Sequence, residues 1–129
     1  MGTAVLIMAG LGAPVAQAAD CASAQTQADL NICVGEDYQL ADRTLNAVYA
    51  RLMKRLDPRA RGLLRDAQRA WIPFRDKHCA FVGSGTEGGS IQGMVIAGCL
   101  TELTTARAGQ IIAQLSCAEG DVSCATAGN

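Results

Sequence analysis

Residues 30–56, LNICVGEDYQLADRTLNAVYARLMKRL, place an apolar side chain at every third or fourth position and so predict a long amphipathic α-helix. Thr26, with Asp29 three residues later, supplies the expected N-cap and an acid for the helix dipole. Asp57-Pro58 is typical of a helix end. The predicted apolar stripe comprises Leu30, Val34, Tyr38, Ala41, Leu45, Val48, Leu52 and Leu56.

Two further stretches repeat with the same period. Pro73 lies inside the second and predicts a kink or break near Arg69 and Ala70. Residues 83–89 are a glycine-rich loop, and Ser90 is the expected N-cap of a third helix. The stripe of the second helix is Leu63, Ala67, Ala70, Phe74, His78 and Phe81, with Trp71 beside it; that of the third is Met94, Ala97, Leu100, Leu103, Ala106 or Arg107, Ile111 and Leu115. No stretch alternates with period two, so the predicted fold is all-α, a small antiparallel three-helix hairpin or bundle.

The length and net charge of the chain limit the classes of protein to which it can belong. The 129 residues allow one domain, and a net charge of −1 argues against a dedicated nucleic-acid binder. Residues 1–18 carry an uncharged apolar run ending in Ala16-Gln17-Ala18, which predicts a signal peptide rather than a buried N-terminal helix. The run is too short to span a bilayer comfortably. The mature chain is therefore expected to be periplasmic or secreted and to contain no transmembrane segment.

The cysteines agree with an oxidising compartment. Six follow the predicted cleavage site, an even number typical of a disulfide framework, and no C-x-x-C pair or zinc spacing is present. Fifteen connectivities are possible. Pairing of sequence neighbours is favoured because each bridge then closes a modest loop: Cys21 with Cys33, Cys79 with Cys99, and Cys117 with Cys124. The helical domain is expected over residues 19–115, followed by a short tail over 116–129 that carries the last two cysteines.

Charge is unevenly distributed along the chain. From Asp20 to Asp42 there are five acids and no base, whereas from Arg43 to Lys77 there are ten bases and three acids. A hairpin would place the basic residues at its turn and return the glycine loop, with Glu87, to the acidic end. One interpretation is a solvated surface with favourable i,i+4 pairs; the other is a molecule whose two charged ends steer partners of opposite sign.

Five separated blocks of residues resemble one protein family. They are Gln27-x-x-Leu30-Asn31-x-Cys33; Tyr38-x-x-Ala41-Asp42-x-x-Leu45-Asn46-x-x-Tyr49-x-x-Leu52; Ala67-Gln68-Arg69-Ala70-Trp71-Ile72-x-Phe74-Arg75-Asp76-x-x-Cys79-x-Phe81; Gly88-Gly89-Ser90; and Cys99 with Leu103-Thr104-x-x-Arg107. Together they resemble the LprI-type lysozyme inhibitor domain over roughly residues 21–115. The resemblance implies a small secreted or envelope-located helical domain of bacteria whose named member inhibits lysozyme.

Each candidate partner-binding residue has a structural and a functional interpretation. Trp71 is expected in the core or as an exposed anchor, and Arg75 with Asp76 as a helix-surface ion pair, a cap for the loop, or a partner contact. Gly88-Gly89-Ser90 is expected to turn the chain tightly or to present backbone groups to a partner. The remaining candidates are the acids Glu36, Asp37 and Glu87. Buried polar groups such as Asn31, Asp42 and Asn46 should bond to other helices or to the loop.

The predicted function is inhibition of lysozyme by occupation of its cleft, where two carboxylates flank the scissile bond. The alternative is an envelope-located module that binds anionic cell-surface polymers through the basic turn between Arg51 and Arg65. An enzyme is not supported, because the sequence holds no nucleophile elbow, phosphate-binding loop or metal constellation. His78 has no second ligand or nucleophile in a recognisable spacing, so no catalytic residue, metal or cofactor is expected.

Overall fold

Three long helices account for most of the chain in a computed structural model that describes residues 21–126. They are α1 (Gln27–Arg55), α2 (Pro58–Gly83) and α3 (Gln92–Leu115), with short 3-10 turns at Cys21–Ser23 and Ser84–Thr86. Residues 21–126 contain no strand, which confirms the all-α prediction. The predicted signal peptide at residues 1–18 lies outside the described residues.

The helix boundaries follow local signals in two of three cases. The Thr26 hydroxyl accepts a hydrogen bond from the Asp29 amide at 3.1 Å, which confirms the predicted cap of α1. An Asp57 carboxylate oxygen accepts one from the Ala60 amide at 2.8 Å, so the residue predicted to end α1 also caps α2. The prediction for Ser90 is wrong. α3 begins at Gln92, so its N-cap position is Ile91, which provides no side-chain cap; the Ser90 carbonyl accepts a hydrogen bond from Asn31 of α1.

The helices run up, down and up, so that α1 and α3 are parallel and α2 is antiparallel to both. Asn31 Nδ2 donates to the Ser90 carbonyl at 2.9 Å near the beginnings of α1 and α3, and Arg55 Nη1 donates to the Leu115 carbonyl at 2.9 Å at their ends. α3 packs mainly against α1 and less extensively against α2. The buried apolar core lies between α1 and α3 and comprises Leu45, Val48, Leu52, Leu56, Ala108 and Ile111. Burial of each large member stabilises the fold by about 1.5–3 kcal/mol.

The stripe predicted for the core side of α2 is exposed instead. Leu63, Phe74 and Phe81 are 60%, 58% and 73% exposed. We call the whole set the outer stripe: Leu63, Ala67, Ala70, Phe74, His78 and Phe81, all of them exposed. The buried face of α2 is formed by the neighbouring set Gln68, Arg75, Cys79 and Gly83, with Trp71 half-buried against the core.

Pro73 does not break α2, which is continuous from Pro58 to Gly83. Pro73 and Arg69 are both exposed. The carbonyl of Arg69, which loses its helical donor at Pro73, can therefore be hydrated rather than stranded in the core.

Disulfides join sequence neighbours, as predicted. Cys21 pairs with Cys33 and fastens the first 3-10 turn to α1, whereas Cys79 pairs with Cys99 and joins α2 to α3. Cys117 and Cys124 lie together in the tail, and the disulfide between them stays a prediction. The tail folds back on the end of α3, where Gln114 Oε1 accepts from the Ala125 amide at 2.8 Å. Within residues 21–126, no helix has the length and apolar character needed to cross a bilayer.

Candidate functional site

Arg75 lies at the point where the three helices meet. It is 6% exposed, and its Nε donates to Asp76 Oδ1 at 3.0 Å. Its Nη1 lies 3.6 Å from Asp42 Oδ1 of α1 and 3.4 Å from Thr104 Oγ1 of α3. The expected ion pair with Asp76 is present, but the Arg75 side chain is buried rather than on the helix surface.

Two aromatic rings enclose the same guanidinium. The Arg75 Cζ atom lies 5.1 Å from the centre of the Trp71 ring and 5.4 Å from that of Tyr38, distances typical of cation–π contacts. Trp71 therefore packs against the core and against this cation, as its core interpretation predicted. We call these six residues the Arg75 cluster: Tyr38, Asp42, Trp71, Arg75, Asp76 and Thr104.

The electrostatics of the Arg75 cluster are visible at Tyr38. Burial raises the pKa of the Tyr38 hydroxyl above its ordinary value, and the positive charge of Arg75 opposes that shift. The carboxylates of Asp42 and Asp76 raise the pKa further. The hydroxyl is therefore held in its neutral form next to a buried charge.

A second polar contact joins α2 to α3, at a position seven residues before Arg75 on α2. Arg107 Nε donates to the Gln68 side-chain oxygen at 2.9 Å, and Arg107 Nη1 donates to Gln110 Oε1 at 2.9 Å. Burial lowers the pKa of Arg107 from its usual value. Every buried side-chain nitrogen and oxygen in the described part of the chain has a hydrogen-bond partner, so this polar interior is satisfied.

Most of the sequence motif thus serves to hold the helices together. Asp42 bonds to another helix, as predicted from the sequence. Gln68, Thr104 and Arg107 are not among the candidate residues of the sequence analysis, although the motif blocks contain all three. The signal that could have found them is their residue type, since polar groups at core-facing helical positions require internal partners. The arrangement contains no exposed nucleophile beside a base, and it functions chemically as a buried ionic and aromatic joint.

The glycine loop is the exposed part of the predicted site. Gly88 has a φ of 79°, a conformation that favours glycine, and Gly89 donates its amide to the Thr86 carbonyl at 3.0 Å. The predicted tight turn is therefore present. Asn31 anchors the loop through the Ser90 carbonyl and is itself held by Gln27, whose Nε2 donates to Asn31 Oδ1 at 2.9 Å.

The loop returns to the amino-terminal half of α1, which carries Glu36 and Asp37. Glu87 and Glu36 are exposed, and Asp37 is half-buried with its Oδ2 atom 3.7 Å from the Cys21 sulfur. Glu36 follows the loop anchor Asn31 by five residues, which corresponds to roughly 8 Å along the helix axis. We call the loop residues 87–90 together with Glu36 and Asp37 the acidic end.

A shallow groove of about 460 Å³ runs between α1 and α3, on the side of Asp37. Its walls are mostly small or apolar residues: Leu40, Ala41, Thr44, Thr101, Thr105, Ala108, Gly109 and Ile112. The close approach of two parallel helices explains the small side chains, because bulkier ones would separate the helix axes. The groove adds a concave apolar surface next to the acidic end.

At the opposite, basic end, two of the arginine side chains cap helices. Arg61 Nε donates to the Met53 carbonyl and Arg55 Nη1 to the Leu115 carbonyl, both at 2.9 Å, at the carboxyl ends of α1 and α3. Two parallel helices place their partial negative charges together there, and basic side chains offset that charge. Arg51, Lys54, Arg59 and Arg65 are the other, exposed cations of this end.

The comparisons with known proteins bear directly on this architecture. The family model described as "Lysozyme inhibitor LprI" matches residues 18–111, which include the Arg75 cluster and the glycine loop. The chain belongs to the LprI lysozyme inhibitor family. This family is an inhibitor family and not an enzyme family. Over residues 21–126, no group of three or more His, Cys, Asp or Glu side chains is arranged to hold a metal ion.

Two bacterial proteins are similar to this chain. An uncharacterized protein of Rhizobium meliloti is 36% identical over 113 residues, covering 78% of this chain and 81% of that protein. The uncharacterized protein YecT of Escherichia coli is 32% identical over 73 residues, covering 46% of this chain and 45% of YecT. No solved structure matches the LprI-family chain.

Proposed function

We propose that this LprI-family protein is an exported inhibitor that binds lysozyme through the acidic end and blocks its substrate cleft. The observation that carries the proposal is the difference in exposure between two parts of the motif. The Arg75 side chain is buried and Trp71 packs against the core, whereas Glu87, Gly88, Gly89 and Ser90 are all exposed. The loop is therefore a continuous exposed segment of the predicted partner site that a second protein can reach.

The loop combines exposure with a fixed position. Its backbone is held at Ser90 by the side chain of Asn31 of α1. The same Asn31 side chain packs against Gly93 in the first turn of α3, 3.3 Å from the position a Cβ would take there. A loop that is already ordered loses little conformational entropy when it binds. This favours the loop as the element that enters a cleft.

The loop also carries the donors that a cleft lined by carboxylates requires. The Gly88 and Ser90 amides form no hydrogen bond within residues 21–126. These N–H groups, with the Ser90 hydroxyl, can donate to the two carboxylates that a glycosidase of this class uses. Occupation of those carboxylates excludes the substrate without any chemistry by the inhibitor.

The acids of the same end would act at longer range. Glu36 and Glu87 are exposed, so their field extends into solvent, and it would accelerate the approach of a lysozyme with a positive surface. Steering of this kind weakens as salt rises, because charges beyond about 8 Å are screened at physiological ionic strength. Export is part of the proposal and rests on the apolar leader and on the extracellular location of the target.

The test is a lysozyme assay on bacterial cell walls with the oxidised mature chain, across an ionic-strength series. Dose-dependent inhibition that is lost on disulfide reduction is expected. Glu36→Lys with Glu87→Lys should weaken inhibition about tenfold at low salt and less at high salt. The matched control, Glu102→Lys with Glu119→Lys, makes the same charge change at exposed positions away from the acidic end and should inhibit like the wild type. Absence of inhibition of several lysozyme types by a folded, oxidised chain would refute the proposal.

The alternative of polymer binding is separated by a second variant. Arg59→Ser with Arg65→Ser removes two exposed cations of the basic end while leaving the capping residues Arg55 and Arg61 in place. Lysozyme inhibition should be unchanged. Loss of binding to anionic envelope polymers, in a chain that does not inhibit lysozyme, would instead identify the basic end as the functional surface.

A further inference from the structure

The outer stripe of α2 is an apolar surface that the fold leaves uncovered. Leu63, Phe74 and Phe81 are all more than half exposed, and the imidazole of His78 lies between the two phenylalanine rings. The Phe74 and His78 ring centres are 5.7 Å apart in a stacked arrangement, and those of His78 and Phe81 are 6.4 Å apart. From these exposed fractions the three large side chains offer roughly 400 Å² of apolar surface, comparable with the largest apolar patch of a typical monomer, which is often functional.

We propose that the outer stripe is the interface of a two-fold symmetric dimer, in which α2 packs antiparallel against α2 of a second copy. A two-fold interface must be self-complementary, with the same residues on both sides. With the axis near Ile72, Leu63 of one copy faces Phe81 of the other, and Ala70 faces Phe74. Small side chains thus meet large ones, which allows two helices to approach closely.

Charge selects the antiparallel direction. Asp66 and Lys77 flank the stripe on the same side of α2, are both exposed, and form no ion pair within residues 21–126. In the antiparallel dimer each Asp66 comes within reach of Lys77 of the other copy, so the pair forms twice. In a parallel two-fold dimer this side of α2 would lie on opposite edges of the interface in the two copies, so Asp66 could not reach Lys77 of its partner.

The size of the interface sets its strength. Two faces of about 600 Å² each, including the edges of the stripe, give a total near the lower limit for specific association. A dimer with a dissociation constant in the micromolar range is therefore expected. Since α2 is 26 residues long, the two glycine loops would lie at opposite ends of the dimer, about 35–40 Å apart, and both would remain accessible.

Sedimentation velocity over a concentration series from low micromolar to several hundred micromolar tests the dimer. The wild-type chain should shift from monomer to dimer. Phe74→Ser with Phe81→Ser should raise the dissociation constant more than tenfold, since both rings leave the interface. Ile32→Ser is the matched control, because Ile32 is 62% exposed on α1, and its dimer should be unaffected.

Charge exchange tests the direction of packing. Asp66→Lys alone and Lys77→Asp alone should each weaken the dimer several-fold, and the double exchange should restore it. A wild-type chain that stays monomeric throughout the series would overturn the proposal. If, in addition, the Phe74 and Phe81 substitutions weaken lysozyme inhibition by this monomer, the stripe is a binding surface for lysozyme rather than for a second copy. A dimer that tolerates the two phenylalanine substitutions would also overturn the proposal.

Discussion

Replacement of Arg75 by methionine tests whether the family motif is a structural joint. The substitution keeps most of the side-chain volume and removes the charge. Loss of two ring contacts costs about 1–2 kcal/mol, and loss of the bonds to Asp76 and Thr104 costs about 1 kcal/mol each. Relief of guanidinium desolvation offsets about 1 kcal/mol. We expect the free energy of unfolding to fall by about 2–3 kcal/mol.

The carboxylates limit this loss. The side chains of Asp42 and Asp76 are 41% and 56% exposed, so water can hydrate them once the arginine is gone. Thr104 is 0% exposed and depends on a protein partner. The largest coupling should therefore be between Arg75 and Thr104, and Thr104→Val combined with Arg75→Met should cost less than the sum of the single changes.

Urea unfolding followed by far-ultraviolet circular dichroism, with the disulfides intact, measures the effect. A loss of this size lowers Tm by about 10–15 °C in a domain of about 100 residues. Arg69→Met is the matched control, because Arg69 is an exposed arginine on the same helix, and it should change stability by less than about 0.5 kcal/mol. Inhibition by the folded Arg75→Met chain should persist at low temperature. A stability within 1 kcal/mol of the wild type, or a stable variant that no longer inhibits, would refute this reasoning.

Three further outcomes are expected. Because the pKa of Tyr38 is raised in the folded state, the stability that the neutral hydroxyl contributes is fully present below pH 10.0 and is lost as pH rises through the folded pKa. The free energy of unfolding measured across alkaline pH should show this loss, and the Tyr38→Phe chain should lack it. Cys79→Ser with Cys99→Ser, which opens a bridge of sequence separation 20, should cost about 3 kcal/mol in urea unfolding, more than loss of the shorter tail bridge. Gly83→Ala should lower Tm by several degrees, because a methyl group there would collide with a side chain of α3 and cost about 1–2 kcal/mol; an unchanged Tm would show that α3 yields freely.

Local signals in the sequence determined where the helices lie. Thr26, Asp57 and Pro58 act within a single helical turn, so their effect on a boundary does not depend on the rest of the fold. The glycine turn at Gly88 and the pairing of neighbouring cysteines are equally short in range. Ser90 does not cap α3, whose N-cap position is Ile91; its carbonyl instead takes part in a contact between helices, with Asn31.

Only the tertiary structure decided which face of α2 is buried. Apolar periodicity selected the stripe with Leu63, Phe74 and Phe81, yet the fold buries Gln68 and Arg75 beside it. Periodicity assigns the most apolar face of a helix to the core. A polar face can be buried instead when neighbouring helices supply its hydrogen-bond partners and aromatic contacts, as α1 and α3 do here. Periodicity within one helix contains no information about those partners. Those partners lie about 30 residues or more away along the chain, and the distance between them is set by packing rather than by any local signal.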